Sequence, residues 1–273
     1  MAGLYQRLAS TIGSTDTQSI EYHIASIMME NLVQICDISI GEMAKKCSVS
    51  KSTISKFVRM LGFEDYQDFK YEAMFNKKKE RYMSDGSTQN ITDYMLENGA
   101  ECYLDILFQD IRTMIENLDY KKLEQVVEEI HSFKNVAAFG MVYSETAAMN
   151  LQYKFAFYHK YIYTSLSDIK QSDYIRNAGE DTLLLIFSNS GRYIDMYSDM
   201  EGHPKKTCFD ETKAKVVLFT ANPEMEADDR VDICISWKYL DKVQNHPIMF
   251  QLLIEQLAML YQKKYGFPME DYE

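Results

Sequence analysis

Residues 39–62 read SIGEMAKKCSVSKSTISKFVRMLG, and this stretch predicts two short helices joined by a tight turn. Ser39 and Glu42 have the spacing of a capping box, in which each side chain accepts a hydrogen bond from the other residue's backbone N–H. A helix of about eight residues, ending near Cys47, is expected to follow this cap. Its length and position suit the first helix of a helix-turn-helix unit.

The second helix is predicted to run from Lys51 to about Leu61, with Ser50 as its cap and Gly62 in a positive-φ position after it. Its apolar stripe consists of Ile54, Phe57, Val58 and Leu61. The opposite face carries hydroxyls and cations, which suit the base edges and phosphates of duplex DNA. The residues predicted to bind DNA are Lys45, Ser50, Lys51, Ser52, Thr53, Ser55, Lys56 and Arg59. An ordinary three-helix bundle with a polar outer face is the alternative.

Charge is distributed unevenly along the 273 residues. The whole chain carries 29 basic and 41 acidic residues, a net charge of -12, so it is not basic throughout. Residues 1–82 carry 11 basic and 10 acidic residues, whereas the remainder carries 18 and 31. Residues 39–62 carry five cations against one carboxylate. Because phosphate binding needs a local positive surface, this distribution favours DNA binding by that segment.

The domain boundary is predicted from composition. Residues 76–81 form a charged run, and residues 84–88 are rich in turn formers. We therefore expect a helix-turn-helix DNA-binding domain over 1–76, a linker over 77–90 and a second domain over 91–273.

The composition also excludes several classes of protein. No apolar run approaches the roughly 20 residues of a membrane-spanning helix, and the N-terminus has no recognisable secretory signal. The five cysteines are scattered and lack zinc-ligand spacing, so free thiols in a reducing cytoplasm are expected.

The stretch from Ile38 to Phe63 resembles the N-terminal domain of RpiR/MurR-type transcriptional regulators. The family pattern runs S-I-x-E-(L/M)-A, then V-S-x-(A/S)-T-(I/V)-x-(R/K)-F-x-(R/K)-x-L-G-(F/Y), and nearly every position is met. The resemblance covers about residues 1–76. It implies a winged-helix-like, all-helical DNA-binding domain whose groove-facing helix is Lys51 to Arg59.

Beyond residue 90, short continuous apolar runs alternate with helical patterns. Such runs are typical of strands buried on both faces of a parallel sheet, and intervening helices produce βαβ units. The predicted strands are 136–139, 161–163, 182–187, 216–219 and 231–235. The predicted helices include 91–118, 120–131 and 247–265. This order indicates an α/β/α domain with a parallel, flavodoxin-like sheet.

Ligands of such sheets bind beyond the carboxyl ends of the strands, so two loops form the candidate site. Ser144 follows the first predicted strand and Ser190 follows the third, and each is expected to open a helix. Backbone N–H groups and the helix dipole at these positions favour an anion such as phosphate. Serine is also the commonest helix cap, so a purely structural role is the alternative.

Residues 90–265 resemble the sugar isomerase (SIS) domain, which follows the DNA-binding domain in the RpiR/MurR family. The match is DTLLLIFSNSG, from Asp181 to Gly191, against the family's D-x-(apolar)-I-x-(I/L)-S-x-S-G-x-T. The resemblance implies that Ser144, Ser188 and Ser190 contact a phosphorylated sugar. The full set of predicted ligand-binding residues is Ser144, Ser188, Asn189, Ser190, Gly191 and Tyr193.

Two positions depart from the SIS pattern. Val142 stands where the first loop, G-x-G-x-S, usually has its second glycine, and Tyr193 stands where the second motif has threonine. A Cβ at 142 narrows the approach of a ligand to the backbone. Tyr193 removes a small hydroxyl, for which Arg192 could substitute a charged donor. The pocket is therefore expected to bind a different sugar derivative, or none.

Three functions are compatible with these patterns. The favoured one is a cytoplasmic regulator of sugar metabolism that binds double-stranded operator DNA as a homodimer or tetramer and senses a phosphorylated sugar. The second is a sugar-phosphate isomerase-type enzyme with an appended helical domain, although the five histidines show no local pairing for proton transfer. The third is a regulator whose SIS domain is a ligand-free scaffold. No cofactor, metal, catalytic residue or membrane partner is expected.

Overall fold

A computed structural model describes residues 2–82, 91–195, 206–238, 243 and 246–266. The chain divides into two compact units, one that contains residues 2–82 and one that contains the β-sheet. Among the described residues, no helix combines the length and the apolar character that crossing a membrane requires.

The first unit is entirely helical, as predicted. Its helices are α1 (Ala2–Ser14), α2 (Ile20–Glu30), α3 (Ile40–Lys46), α4 (Lys51–Met60) and α5 (Tyr66–Tyr82), and a 3-10 segment spans Leu32–Asp37. Helix α1 was not expected, although Leu4 and Leu8 have helical spacing and both are fully buried. Helix α5 extends into the predicted linker, whose residues 83–90 lie outside the described residues.

The core of this unit fixes α3 and α4 against the remaining helices. Met28, Met43, Ile54 and Phe69 contribute buried side chains from four different helices. The Tyr66 hydroxyl donates a hydrogen bond to the Ile38 carbonyl oxygen at 3.2 Å, which ties α5 to the segment preceding α3. Burial of this phenol raises its pKa to about 12, so it remains a donor at physiological pH.

The second unit alternates helices and parallel strands. Its helices are α6 (Ile91–Asn98), α7 (Ala100–Asn117), α8 (Tyr120–Ser132), α9 (Tyr143–Ala156), α10 (Asp168–Asn177), α11 (Cys208–Glu211) and α12 (His246–Tyr265). Its strands are β1 (Asn135–Phe139), β2 (Thr182–Phe187), β3 (Lys215–Thr220) and β4 (Ile233–Ser236). The prediction of one helix over 91–118 is wrong, because Gly99, at φ +89°, separates α6 from α7.

The four strands form one parallel sheet in the order β1-β2-β3-β4. The predicted strand 161–163 is reduced to one parallel bridge, in which Tyr163 pairs with Ala137 of β1. Because Ala137 also pairs with Leu184 of β2, Tyr163 lies on the opposite side of β1. When this segment is counted as an edge strand, the spatial order is 2-1-3-4-5, the flavodoxin-like order.

Both faces of the sheet are covered, as the continuous apolar runs predicted. Every residue of β2 is buried. On one face, α12 contributes Met249, Leu253 and Leu257, all fully buried. The other face carries a second apolar cluster that includes Ile175 of α10 and Phe209 of α11. Buried strands of this kind hold the loops at their carboxyl ends in fixed positions.

Candidate DNA-binding helix and ligand crevice

The predicted capping box at the start of α3 is confirmed. The Ser39 hydroxyl accepts a hydrogen bond from the Glu42 N–H at 3.2 Å, and the Glu42 carboxylate accepts one from the Ser39 N–H at 2.8 Å. Hydrogen bonds from the side chain and the backbone N–H of Ser39 to the Glu42 carboxylate hold its pKa below the usual range. The box fixes where α3 begins, and therefore where the turn leading into α4 is placed.

Helix α4 buries one face and exposes the other. Ile54, Phe57 and Val58 are buried in the core of the helical unit, and Leu61 is buried directly after the helix. Gly62 follows at φ +84°, the left-handed conformation expected of a residue that ends a helix. The apolar stripe thus determines which face of α4 points outward.

Seven of the eight predicted DNA-binding residues lie on α4 or at its cap, and Lys45 lies near the end of α3. Six of the eight are exposed, namely Lys45, Ser50, Lys51, Ser52, Lys56 and Arg59, and Thr53 and Ser55 are partly buried. The unit therefore presents cations and hydroxyls along one exposed helix, with apolar residues excluded from that face except Met60 at its end. Such a surface can bind phosphates through the cations and donate to base edges through the hydroxyls.

Hydrogen bonds arrange the hydroxyls at the start of α4. The Ser50 hydroxyl accepts from the Thr53 N–H at 3.1 Å and lies 2.7 Å from the Ser52 hydroxyl and 2.8 Å from the Thr53 hydroxyl. The Ser55 hydroxyl donates to the Lys51 carbonyl oxygen at 3.1 Å. Ser50 and Ser55 are thus engaged with the helix itself, whereas Lys56 and Arg59 extend from its exposed face.

The second candidate site lies between the carboxyl ends of β1 and β2. In a sheet of order 2-1-3-4-5 the chain reverses direction across the sheet at these two strands, which leaves a crevice between their loops. Phe139, the last residue of β1, is paired with Ile186 near the end of β2. The loops at Gly140 and at Ser188 therefore emerge side by side, and the structure brings together the two loops predicted from sequence.

The first loop is a tight turn that packs against its own helix. A Cβ placed on Gly140 would lie 2.6 Å from the backbone carbonyl carbon of Ser144, so only glycine allows α9 to begin this close to β1. Ser144 is buried in the first turn of α9, as the sequence predicts. Val142 precedes the helix at φ +56° and ψ −114° and gives it no side-chain cap.

The second loop differs from the prediction. Ser190 was expected to open a helix, but within the described residues, which reach Asp195 here, it is followed by a three-residue 3-10 segment, Arg192–Ile194. Gly191 precedes that segment at φ +78°. The physical reason is local: the Ser188 hydroxyl accepts from the Tyr193 N–H at 3.2 Å and turns the chain back on itself. A Cβ on Gly191 would lie 2.5 Å from Cγ of Met225, so the turn also needs glycine.

Gln171 of α10 joins the two loops, and sequence reasoning missed it. Its amide nitrogen donates to the carbonyl oxygens of Gly140 at 3.1 Å and Ser165 at 2.6 Å, and its amide oxygen accepts from the Tyr193 hydroxyl. Gln171 is completely buried. No sequence signal identifies it, because its partners lie in three separate segments of the chain.

Tyr193 is placed differently from the threonine it replaces in the SIS pattern. Its side chain is buried, and Nζ of the buried Lys206 lies 3.3 Å from the centre of its ring. Because its hydroxyl is engaged with Gln171, the residue supports the loops, and its contact with a ligand stays a prediction.

The end of β3 holds the second loop from the other side. The Ala221 N–H donates to the Asn189 carbonyl oxygen at 2.8 Å, and the Asn222 side chain donates to the Ser190 carbonyl oxygen at 3.3 Å. Asn222 is a second supporting residue that the sequence did not reveal. In the part of the chain that the structure describes, no group of three or more His, Cys, Asp or Glu side chains could hold a metal ion.

Comparison with known proteins agrees with this geometry. A family model described as "Helix-turn-helix domain, rpiR family" matches residues 14–79. An uncharacterised HTH-type transcriptional regulator from the aarA 3′ region of Providencia stuartii is 21% identical over 222 residues, which cover 80% of this chain and 75% of that protein. The HTH-type transcriptional regulator HexR of Pseudomonas aeruginosa is 21% identical over 199 residues, 70% of this chain and 66% of HexR.

Among solved structures, Vibrio vulnificus NanR in complex with ManNAc-6P aligns with 96% of this chain and 92% of its own, at 15% identity and a TM-score of 0.49. Both curated regulators align with stretches longer than the helical unit and extend into the α/β unit. Residues 14–79 therefore carry an rpiR-family helix-turn-helix domain, and the α/β unit that follows has the parallel strand order that the sequence predicts.

Proposed function

We propose that the chain regulates transcription of sugar-metabolism genes by binding operator DNA through α4 and a phosphorylated sugar in the β1–β2 crevice. The observation that carries the first part is the outward face of α4, where Lys56 and Arg59 are exposed beside the Ser50 hydroxyl cluster. Phosphate contacts by these cations fix the helix on the duplex, and the hydroxyls of Ser52 and Thr53 reach base edges.

The DNA-binding proposal is tested by replacing Lys56 and Arg59 with alanine in the full-length protein. We expect gel-shift binding to be lost at moderate salt, with a log–log salt slope that is shallower by about 0.9 for each lost phosphate contact. The matched control replaces Lys121 and Lys263, two exposed lysines of the other unit. Retained operator binding in the K56A/R59A protein, with the same salt slope, would place the DNA-binding surface elsewhere.

The effector proposal rests on the crevice. Its first loop presents the buried Ser144 at the start of the 14-residue helix α9, where backbone N–H groups and the dipole favour a phosphate. Its second loop supplies the exposed Ser190 hydroxyl and the backbone around Asn189. A ligand that binds one arrangement of the protein better than another shifts DNA affinity, typically by about 1–3 kcal/mol of coupling.

We further propose that the protein acts in the cytoplasm as a homodimer and has no isomerase activity. A two-fold dimer presents two α4 helices to two half-sites one helical turn apart. Incubation with hexose and pentose phosphates should leave them unchanged, as monitored by NMR of the sugar protons. Turnover at enzymatic rates would instead support the isomerase alternative.

The effector is sought with a thermal-shift panel of sugar phosphates on the full-length protein, including N-acetylmannosamine 6-phosphate and glucose 6-phosphate. A ligand present at 100 times its Kd stabilises the folded state by about 2.7 kcal/mol, which raises the midpoint by several degrees. Ser144→Ala should abolish the shift, whereas Thr146→Ala, at an exposed position on the same helix, should retain it. If no compound stabilises the wild-type protein, the ligand-free scaffold is the better description.

A further inference from the structure

Val142 has a backbone conformation that valine rarely adopts. Its φ of +56° and ψ of −114° are those of the first central residue of a type II′ turn, a position dominated by glycine. The Met141 carbonyl oxygen accepts from the Ser144 N–H at 3.1 Å and closes this turn, and the Val142 carbonyl oxygen accepts from the Glu145 N–H at 3.2 Å. A β-branched residue with positive φ is a genuine outlier.

The side chain of Val142 does not serve as a cap that would account for this conformation. The residue is 37% exposed, and its side chain forms no hydrogen bond to the start of α9. Among the described residues, the other positions with positive φ are held by glycines and by the polar residues Ser48 and His159. Val142 therefore differs in kind from the rest, and it stands in the loop that positions Ser144. Strained backbone that persists at a binding loop is a reason to look for a functional cost.

The strain has a direct consequence for ligand binding. In the II′ conformation the turn holds Ser144 in the first turn of α9, directly after the loop that borders the crevice. Relaxing Val142 to negative φ reorients the Met141–Val142 peptide and breaks the bond between the Met141 carbonyl and the Ser144 N–H. When the conformation that binds is populated only part of the time, the apparent affinity falls by that fraction.

We propose that Val142 sets the affinity of the crevice for its phosphorylated ligand, holding it below the affinity that a glycine loop would give. This inference rests on the proposed effector function of the same crevice. Glycine removes the strain without disturbing Gly140 or Ser144, and alanine, which keeps a Cβ but has no branch, removes part of it. Affinity for a phosphate group is expected to rise in the order valine, alanine, glycine.

The experiment measures binding of inorganic phosphate and glucose 6-phosphate to the full-length wild-type, Val142→Gly and Val142→Ala proteins by calorimetry. We expect Val142→Gly to bind at least about fivefold more tightly than wild type, with Val142→Ala between them. The matched control is His159→Gly, because His159 has φ +58° beyond the other end of α9. This control should change affinity by less than about twofold.

The melting temperature provides a second test, because it reports on the backbone strain at Val142. The melting temperature of ligand-free Val142→Gly should be at or above that of wild type, although glycine alone usually lowers stability. The role of Val142 is overturned if the melting temperature of Val142→Gly is lower than that of wild type. It is also overturned if the two proteins bind phosphate with affinities that agree within twofold. Either result leaves the effector proposal standing. If neither phosphate nor any sugar phosphate of the thermal-shift panel binds to the folded wild-type and glycine proteins, the effector proposal fails, and this inference fails with it.

Discussion

The hydroxyl of Tyr193 donates a hydrogen bond to the amide oxygen of Gln171, and both side chains are buried. This contact joins the loop after β2 to the helix α10, and Gln171 continues it to Gly140 in the loop after β1. The two loops of the crevice are thus braced by one polar network. Such a network fixes geometry only when all its members are satisfied.

Tyr193→Phe removes the hydroxyl and leaves the buried amide oxygen of Gln171 without this donor. We expect the free energy of unfolding to fall by about 1–3 kcal/mol, the cost of an unsatisfied buried polar atom. Urea unfolding monitored by circular dichroism measures this loss. Tyr153→Phe, on the 63% exposed Tyr153 of α9, is the control and should lie within about 0.5 kcal/mol of wild type. An equal loss in both variants would contradict the bracing role.

Variants of the cap residues of α3 and α4 can distinguish an effect on folding stability from an effect on DNA recognition. Ser39→Ala and Ser50→Ala each remove a side-chain cap, so each should cost about 1 kcal/mol of folding free energy. Only Ser50→Ala also releases the hydroxyls of Ser52 and Thr53 from their arrangement. Operator affinity, measured by fluorescence anisotropy where both variants are fully folded, should fall more for Ser50→Ala. If Ser39→Ala and Ser50→Ala bind the operator with equal affinity, the hydroxyls of Ser50, Ser52 and Thr53 take no part in recognition.

Gly140→Ala tests the close approach of α9 to β1. The added Cβ would lie 2.6 Å from the backbone of Ser144, so the helix must move away. We expect a loss of about 1–3 kcal/mol in unfolding free energy, typical of overpacking, together with loss of ligand-induced stabilisation. The control is Gly179→Ala, whose Cβ would meet only Asp181 Oδ1, at 3.4 Å. Wild-type stability of Gly140→Ala would show that the loop can adapt.

Asp228 and Arg230 predict a dependence of stability on pH. Two hydrogen bonds from the guanidinium, at 2.9 and 2.6 Å, hold the pKa of Asp228 below its ordinary value of 3.8. A carboxyl with a lowered folded-state pKa adds stability above the unfolded pKa, and this contribution is lost as pH falls through the folded value.

Asp228→Asn should therefore reduce the unfolding free energy by about 1–2 kcal/mol at pH 7, and by progressively less below pH 3.8. Urea titrations at a series of pH values measure the difference. The control is Asp105→Asn, at an exposed position on α7, which should leave the unfolding free energy at pH 7 within about 0.5 kcal/mol of wild type. A penalty that stays constant down to acid pH would contradict the assigned ion pair.

The parts of the fold that depend on local pattern were predictable. The Ser39–Glu42 box, the stripe at Ile54, Phe57 and Val58, and the limits of β2 each depend on residues that are close in sequence. The break at Gly99 was missed because the apolar period continues across it, and a single glycine inside a helical pattern does not decide between a break and a continuous helix.

The supporting residues of the crevice were not predictable. Gln171, Asn222 and Lys206 act through partners that are distant in sequence, and nothing in their immediate neighbours marks them. The sequence identified Val142 and Tyr193 as unusual, but whether each would strain the loop or brace it depends on backbone angles and burial that only the folded chain defines.

The buried and the exposed faces of α4 can change independently in evolution. Ile54, Phe57 and Val58 are buried and hold the helix in place, whereas Lys56 and Arg59 are exposed. Under the role that we propose for α4, duplicated genes can exchange the outward residues and acquire new target promoters while every copy still folds. A lineage of such proteins can expand its set of controlled genes without redesigning its architecture.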